Sequence, residues 1–237
     1  MIDFHSHFLP DMDDGSDSIE TSLAMLHESW RQGVRLMFAT PHFYAEEDDP
    51  ESFLARRSEA YARVREAIEA RQDSEIPDIL LGAEIYYFPG ISVSEELRAL
   101  SMGTTPFLLI EPPMIPWGNS MLDEIELTGE NLHCIPVIAH VDRYMRMLRD
   151  ASLFDRLRDR RILIQVNASF FVHDSVRALE LLRQNRIHFI GSDCHNMDER
   201  APNMGSAEEI IRLDGATEYF RTINQRIFSL LERQQQL

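Results

Sequence analysis

The sequence predicts an α/β protein in which parallel strands, packed against outer helices, close or nearly close into a barrel. Three observations carry this. Seven short apolar runs recur along the 237 residues. Segments with apolar spacing near 3.6 stand between them. Nearly every run ends in a histidine or an acid. Strand, helix, strand, repeated to the end, implies parallel strands with helices outside. Seven strands in this length favour a barrel, with an open doubly wound sheet as the competing architecture.

The first run, "MIDFH", alternates through Ile2-Asp3-Phe4-His5-Ser6-His7. That period puts His5 and His7 on one face of a strand, where two imidazoles can share one metal. "SIETSLAMLHESWRQG" follows as a helix, with Ser18 at its head, Glu20 in its first turn and Gly33 as its C′ glycine. The second run, "RLMFATPH", ends at His42, and the helix "PESFLARRSEAYARVREAIEAR" follows. "DILLGAE" ends at Glu84, "FLLIEP" reaches Glu111, and "IPVIAH" ends at His140. The helix "SLFDRLRDRR" leads into "ILIQVNAS", the one run that ends without a metal-type ligand, at Asn167 and Ser169. The helix "SVRALELLRQN" leads into "HFIGSDCH", which delivers Asp193 and His195. The tail "EYFRTINQRIFSLLERQQQL" reads as a last amphipathic helix that frays into glutamines and covers core or a subunit contact. Nothing breaks the composition, so residues 1–237 form one domain.

Composition narrows the function. The formal net charge is -17 and argues against a surface that tracks a phosphate backbone, so no nucleic-acid partner is expected. All 23 basic residues are arginine. Without lysine there is no Schiff-base chemistry and no P-loop. No basic region precedes an apolar run at the N-terminus and no stretch approaches a membrane span, so no signal peptide and no membrane insertion are expected. Two cysteines, Cys134 and Cys194, form no framework, and a reducing cytoplasm fits.

In a parallel barrel all strand C-termini meet on one face. His5, His7, His42, Glu84, Glu111, His140, Asp193 and His195 should therefore converge, joined by Asp14 from the "DMDDG" loop. Imidazoles and carboxylates without thiolate suit Mn, Fe or Zn, and nine ligands are too many for one ion. Asp13 reads as a loop residue. Asp3 reads either as support for a histidine or as a plain structural group. His27, His133, His173 and His188 stand away from ligand positions. Cys194 lies between two ligands but has no CxxxxxR cradle, and alternation turns it away. Phe8, Phe43, Tyr44, Tyr87, Phe88 and Trp117 follow strand ends, where they either wall the mouth or pack the loops.

"DFHSH", "ATPH", "GAE", "IEPP", "IAHVDRY" and "GSDCHN" resemble the PHP (polymerase and histidinol phosphatase) superfamily. The opening "MIDFHSHFLPDMDDGSDSIETSLAML" is similar to bacterial manganese-dependent tyrosine-protein phosphatases of the CpsB/YwqE kind. The resemblance spans essentially the whole chain. "HVDRY" differs from the "HPERY" of that branch, with Arg143 and Tyr144 kept. It implies a distorted seven-stranded TIM-like barrel of the PHP type with three divalent metals, manganese first and iron or zinc as alternatives. His5, His7, Glu84 and Asp193 would hold one ion. Glu84 would bridge to a second, held also by Glu111 and His140, and Asp14, His42 and His195 would hold the third.

The implied activity is hydrolysis of phosphotyrosine by a hydroxide shared between metals, with Arg143 and Arg200 holding the phosphate. The implied substrate is a bacterial tyrosine autokinase that controls capsule or exopolysaccharide export. The early helical segment takes part in self-assembly in that family, so a homo-oligomer is expected. Two readings compete: a small-molecule phosphoesterase such as histidinol phosphatase, and a non-catalytic metal-binding module. Glu111 speaks against the first, because histidinol phosphatases tend to carry histidine at the matching place. The full ligand set speaks against the second.

Overall fold

The computed structural model describes residues 1–148 and 152–234. In chain order the elements are β1 (Ile2–Ser6), α1 (Ile19–Arg31), β2 (Leu36–Ala39), β3 (His42–Phe43), α2 (Pro50–Arg71), β4 (Asp78–Leu81) and β5 (Glu84–Tyr86). Two short 3-10 turns, Ile91–Val93 and Glu95–Leu100, lead into β6 (Phe107–Glu111), α3 (Asn119–Asn131), β7 (Ile135–Ile138) and α4 (Val141–Leu148). The chain closes with α5 (Leu153–Asp159), β8 (Leu163–Asn167), α6 (Ala168–His173), α7 (Ser175–Arg183), β9 (Phe189–Gly191), α8 (Met204–Leu213) and α9 (Thr217–Gln234). The expected fraying at residues 235–237 lies outside the described residues.

Local signals start and stop the helices as expected. Ser18 caps α1 by accepting from the Thr21 amide, and Gly33 follows its end at φ 94°. That left-handed angle costs glycine little. Asp49 caps α2, with Pro50 in its first turn.

Every strand pairing is parallel. The strands form one sheet in the order β1-β2-β4 and another in the order β3-β5-β6-β7-β8-β9. The second and third predicted runs are thus each cut in two. Pro41 sits at the cut and has no amide to donate. Single bonds bridge it: the Gly82 amide donates to the Ala39 carbonyl at 2.8 Å, and Glu84 to Pro41 at 3.0 Å.

The sheet curls rather than lying open. The segment after β9 returns to β1, where the Asp193 amide donates to the His5 carbonyl at 2.8 Å and the His7 amide to the Cys194 carbonyl at 2.9 Å. Gly191 permits this approach, because a Cβ there would stand 2.5 Å from the Cβ of His5. Phe4 of β1 stacks on Phe189 of β9 with ring centroids 4.0 Å apart. It also meets Phe38 of β2 and Phe107 of β6, at 5.0 and 6.1 Å. Strands that do not pair therefore fill a shared interior. Each such ring contributes about 1.5–3 kcal/mol through burial. The helices lie outside this curl, and among the described residues none is long and apolar enough to cross a membrane.

Candidate metal centre

The sequence-predicted residues meet where the strands end. β1 brings His5, and His7 follows one residue beyond it. β3 begins with His42, β5 begins with Glu84, and β6 ends with Glu111. His140 follows β7, and Asp193 and His195 follow β9. Asp14 arrives on a loop folded tightly over β1; a Cβ at its neighbour Gly15 would lie 2.2 Å from the His7 carbonyl oxygen.

Glu84 is the hub and is fully buried. Its Oε2 lies 3.0 Å from His5 Nε2, 3.2 Å from His7 Nε2 and 3.2 Å from His42 Nδ1. Its Oε1 lies 2.8 Å from His140 Nε2, which is also 3.3 Å from Glu111 Oε1. Asp193 Oδ1 stands 3.7 Å from both His5 Nε2 and His7 Nε2. On the outer side, Asp14 Oδ1 lies 3.3 Å from His195 Nε2 and 3.6 Å from His42 Nε2. Three overlapping donor sets result, each with its atoms within 4.8 Å of one another: His7, Asp14, His42 and His195; His5, His7 and Glu84; His42, Glu84 and Glu111. His42 thus turns one ring nitrogen to Asp14 and the other to Glu84, where the resemblance placed it with Asp14 and His195 alone.

Burial and charge oppose each other here. Burial alone would raise the Glu84 carboxyl, but the imidazoles of His5, His42 and His140 hold it well below its ordinary value. Burial disfavours the charged form of His7, yet the carboxylates of Asp13 and Glu84 lift it to about 10. His140 rises to about 9 against burial, through Glu84 and Glu111. His195 is pushed down to about 2 by burial and the neighbouring His7. Burial, opposed by Glu84, lowers His42. Burial pushes Asp193 up, but His5 and Arg143 bring it below the usual carboxylate range.

Two observations test the fit to cations. The set offers five imidazoles and four carboxylates without sulfur, a mixture that suits divalent Mn, Fe or Zn. His42 Nδ1 and His195 Nε2 are buried without a hydrogen-bond partner. Such an atom costs about 1–3 kcal/mol, and a cation would satisfy both. The residues fit the group.

The backbone is strained at the same place. His140 has φ 32° and Asp193 φ 54°, conformations rare outside glycine. Strain of this kind collects where packing fixes a functional geometry. Sequence carries no sign of it.

Arg143 and Arg200 both reach Asp193. Arg143 Nη2 donates to its Oδ2, and Arg200 Nη2 to its Oδ1 at 2.8 Å. The two arginines and Asp193 line an open pocket of about 450 Å³ that also touches Asn167, Met114 and Phe170. A second pocket, of about 530 Å³, opens beside Asp14, His42 and Tyr44.

Several expectations need correction or completion. Asp13 is more than a loop residue: its Oδ2 lies 2.7 Å from His7 Nδ1 and accepts from the His42 amide at 2.8 Å. A carboxylate so placed orients the imidazole. Asp3 supports backbone instead, accepting from the amides of Ser192 at 2.8 Å and His5 at 3.3 Å. Phe8, Phe43 and Trp117 are buried and do not wall the mouth. Phe43 packs on Phe53, and Trp117 on Tyr144. Tyr87 is tied by its hydroxyl to Glu124. Tyr44 does stand by the site, 5.3 Å from the His42 ring, with the unforeseen Tyr86 5.7 Å beyond. Cys194 is fully buried, and burial raises its thiol, so it offers no accessible thiolate. His27 pairs with Asp73 and His188 accepts from the Ile164 amide, both away from the cluster.

A curled parallel sheet whose strand ends bury a shared histidine–carboxylate cluster defines the class: an α/β protein with a candidate multinuclear metal centre. The chain belongs to the CpsB/CapC family of capsular polysaccharide synthesis, whose family model matches residues 1–227. It is 31% identical over 229 residues to the tyrosine-protein phosphatase CpsB of Streptococcus agalactiae, covering 90% of each chain. It is 33% identical over 226 residues to CpsB of Streptococcus pneumoniae, covering 89% of each. The tyrosine-protein phosphatase YwqE of Bacillus subtilis is 31% identical over 216 residues, 84% of this chain and 79% of that one. A solved structure from a study of YwqE and pneumococcal CpsB, described there as unique metal-dependent tyrosine phosphatases, superposes with a TM-score of 0.84 at 27% identity. The match covers 98% of this chain and 94% of that one.

Proposed function

We propose that the protein is a metal-dependent protein-tyrosine phosphatase. The reading places a distorted seven-stranded barrel of the PHP type in residues 1–237, working as one domain in the cytoplasm. Its centre is three divalent ions, Mn2+ first and Fe or Zn as alternatives, held by His5, His7, Asp14, His42, Glu84, Glu111, His140, Asp193 and His195. Its substrate is a phosphotyrosine protein, with a bacterial tyrosine autokinase as the expected partner. The observation that carries it is the single hub. Glu84 contacts four imidazoles from three strand ends, in a chain whose relatives are named tyrosine phosphatases.

When bound, divalent ions supply a water of lowered pKa and Lewis-acid stabilisation of phosphoryl oxygens. The chain's own residues do the rest. Arg143 and Arg200 flank Asp193 and aim guanidinium forks into the 450 Å³ pocket. That fork geometry matches two oxygens of a phosphate dianion. Tyr44 and Tyr86 offer ring surface to an aromatic leaving group. A phenol, with pKa about 10, departs more readily than a serine alkoxide.

The test is kcat/KM with Mn2+ on a phosphotyrosine peptide, a phosphoserine peptide and histidinol phosphate. The expected order places the first highest. Faster turnover of histidinol phosphate would overturn the reading in favour of a small-molecule phosphoesterase.

A further inference from the structure

The strand of the sixth apolar run, β8, contributes no candidate ligand, yet it is threaded through the centre by two buried carboxamides. Gln165 is fully buried and Asn167 nearly so. Gln165 Oε1 accepts from the His140 amide at 2.5 Å and lies 3.3 Å from His5 Nδ1. Its Nε2 donates to the Val166 carbonyl at 2.8 Å and to Asn167 Oδ1 at 3.1 Å. Asn167 Nδ2 then donates to Asp193 Oδ2 at 2.8 Å.

The chemistry of the partners fixes every direction in this chain. A backbone amide can only donate, so Gln165 must turn its oxygen to His140. A backbone carbonyl can only accept, so it must turn its nitrogen to Val166. Asp193 as a carboxylate can only accept, so Asn167 presents nitrogen to it and oxygen to Gln165. What remains is His5. Its Nδ1 meets the Gln165 oxygen and must carry the proton. Its Nε2, 3.0 Å from both Glu84 Oε2 and His7 Nε2, faces the cluster, where a bound cation would take its lone pair.

We infer that Gln165, relayed by Asn167, is a positioning residue of the metal centre, locking His5 in the Nδ1–H tautomer while holding the His140 backbone and the Asp193 carboxylate. It thereby sets three candidate ligands from three different strands at once. A carboxylate of the same size could not do this. It would present oxygen to the Val166 carbonyl and to Asn167, turn the Asn167 amide, and point that oxygen at Asp193. Asp13 serves His7 from the loop side; Gln165 serves His5 without adding charge. Partners of this kind change metal affinity by about 10–100-fold when removed.

The inference rests on the metal-centre reading, and its test separates the two. Full-length protein is stripped of metal and titrated with Mn2+, following loss of the free-ion signal by electron paramagnetic resonance. Wild type, Gln165→Glu and Gln165→Met are compared, with circular dichroism and Tm as the record of folding. Both variants should bind at least one Mn2+ at least about 10-fold more weakly, with kcat falling more than KM rises. A merely structural role would lower Tm and leave Mn2+ affinity unchanged. Folded variants that titrate as wild type would overturn the inference. Wild type that takes up no Mn2+ would overturn the metal-centre reading as well. A measurement on wild type alone guards against variants that do not fold. Nitrogen-15 spectra of the zinc-loaded protein should show His5 protonated at Nδ1, and an Nε2–H tautomer would overturn the inference.

Discussion

Phe4 and His5 are neighbours on β1 and are equally buried, yet they belong to opposite kinds of interior. Phe4 joins Phe38, Phe107 and Phe189 in a cluster where every surface meets another apolar surface. His5 joins four further imidazoles and four carboxylates, where charge is crowded and three ring nitrogens, on His42, His140 and His195, find no hydrogen bond. The first interior is complete in the polypeptide itself. The second is complete only with cations. The irregular register of β1, which shifts between Asp3 and Ser6, stands where one becomes the other.

This contrast breaks if the two interiors respond alike to mutation. The largest effect should come at the hub. Glu84→Ala removes a contact to four histidines, and the several kcal/mol that metal catalysis supplies should go with it. That is a loss of about 10^3–10^4 in kcat/KM on p-nitrophenyl phosphate, with the far-ultraviolet circular dichroism of the folded chain kept. Phe4→Ala should do the reverse. It should cost about 3–5 kcal/mol in stability, read by denaturant titration, while the folded protein keeps its Mn2+ stoichiometry. A Phe4 variant that folds but loses metal would join the two regions into one.

A smaller effect sharpens the picture at the rim. Arg143→Ala should lower kcat/KM about 10^2-fold with metal still bound, as loss of one oriented donor does elsewhere. Arg143→Lys should recover only part of this, because a point charge cannot reproduce the guanidinium fork.

The smallest effect is the pH dependence of chelator-treated protein. Folding holds His7 at about 10 and His140 at about 9, in each case because neighbouring carboxylates outweigh burial, against the ordinary 6.5. Both bind their proton more tightly folded than unfolded. The stability they contribute is full below pH 6.5 and is lost as pH rises through 9 to 10. The Met1 amine, lowered by its burial, opposes them, and so do His42, His188 and His195, which burial lowers from 6.5 and whose unfolded forms still shed protons up to about pH 7.5. Tm of the metal-free protein should therefore fall between about pH 7.5 and 9, where only the raised pair still holds protons that the unfolded histidines have lost. Saturating Mn2+ should remove the trend, since a cation takes the place of those protons. A metal-free Tm that rises across that window would contradict the charge assignment.

The site was legible in the sequence where residue type and strand period sufficed. His5, His7, His42, Glu84, Glu111, His140, Asp193 and His195 could be placed by one rule, that parallel strands end on one face. Its supports were not legible. Asp13 and Asp14 are adjacent acids in one loop, and only the fold over Gly15 turns Asp13 to His7 and leaves Asp14 facing His42 and His195. Gln165 shows nothing of its contacts in the sequence, because its partners lie 25 and 160 residues away. The aromatics stay open between wall and packing in the sequence for a related reason. Phe43 and Trp117 follow strand ends as Tyr44 does, but their neighbours Phe53 and Tyr144 draw them into the core. The split of the second and third runs into paired short strands follows from Pro41, whose missing amide has a visible consequence only once the neighbouring strand is known.

The central claim is that nine groups at the strand ends form one multinuclear metal centre. The most direct measurement is anomalous scattering from crystals of the Mn2+-loaded protein, with metal content determined on the same preparation. Three ions per chain, each within the reach of the His5, Glu111 or Asp14 side of the Glu84 hub, is the result expected. A single ion in fully loaded protein, or ions bound elsewhere with the cluster unaltered, would contradict it.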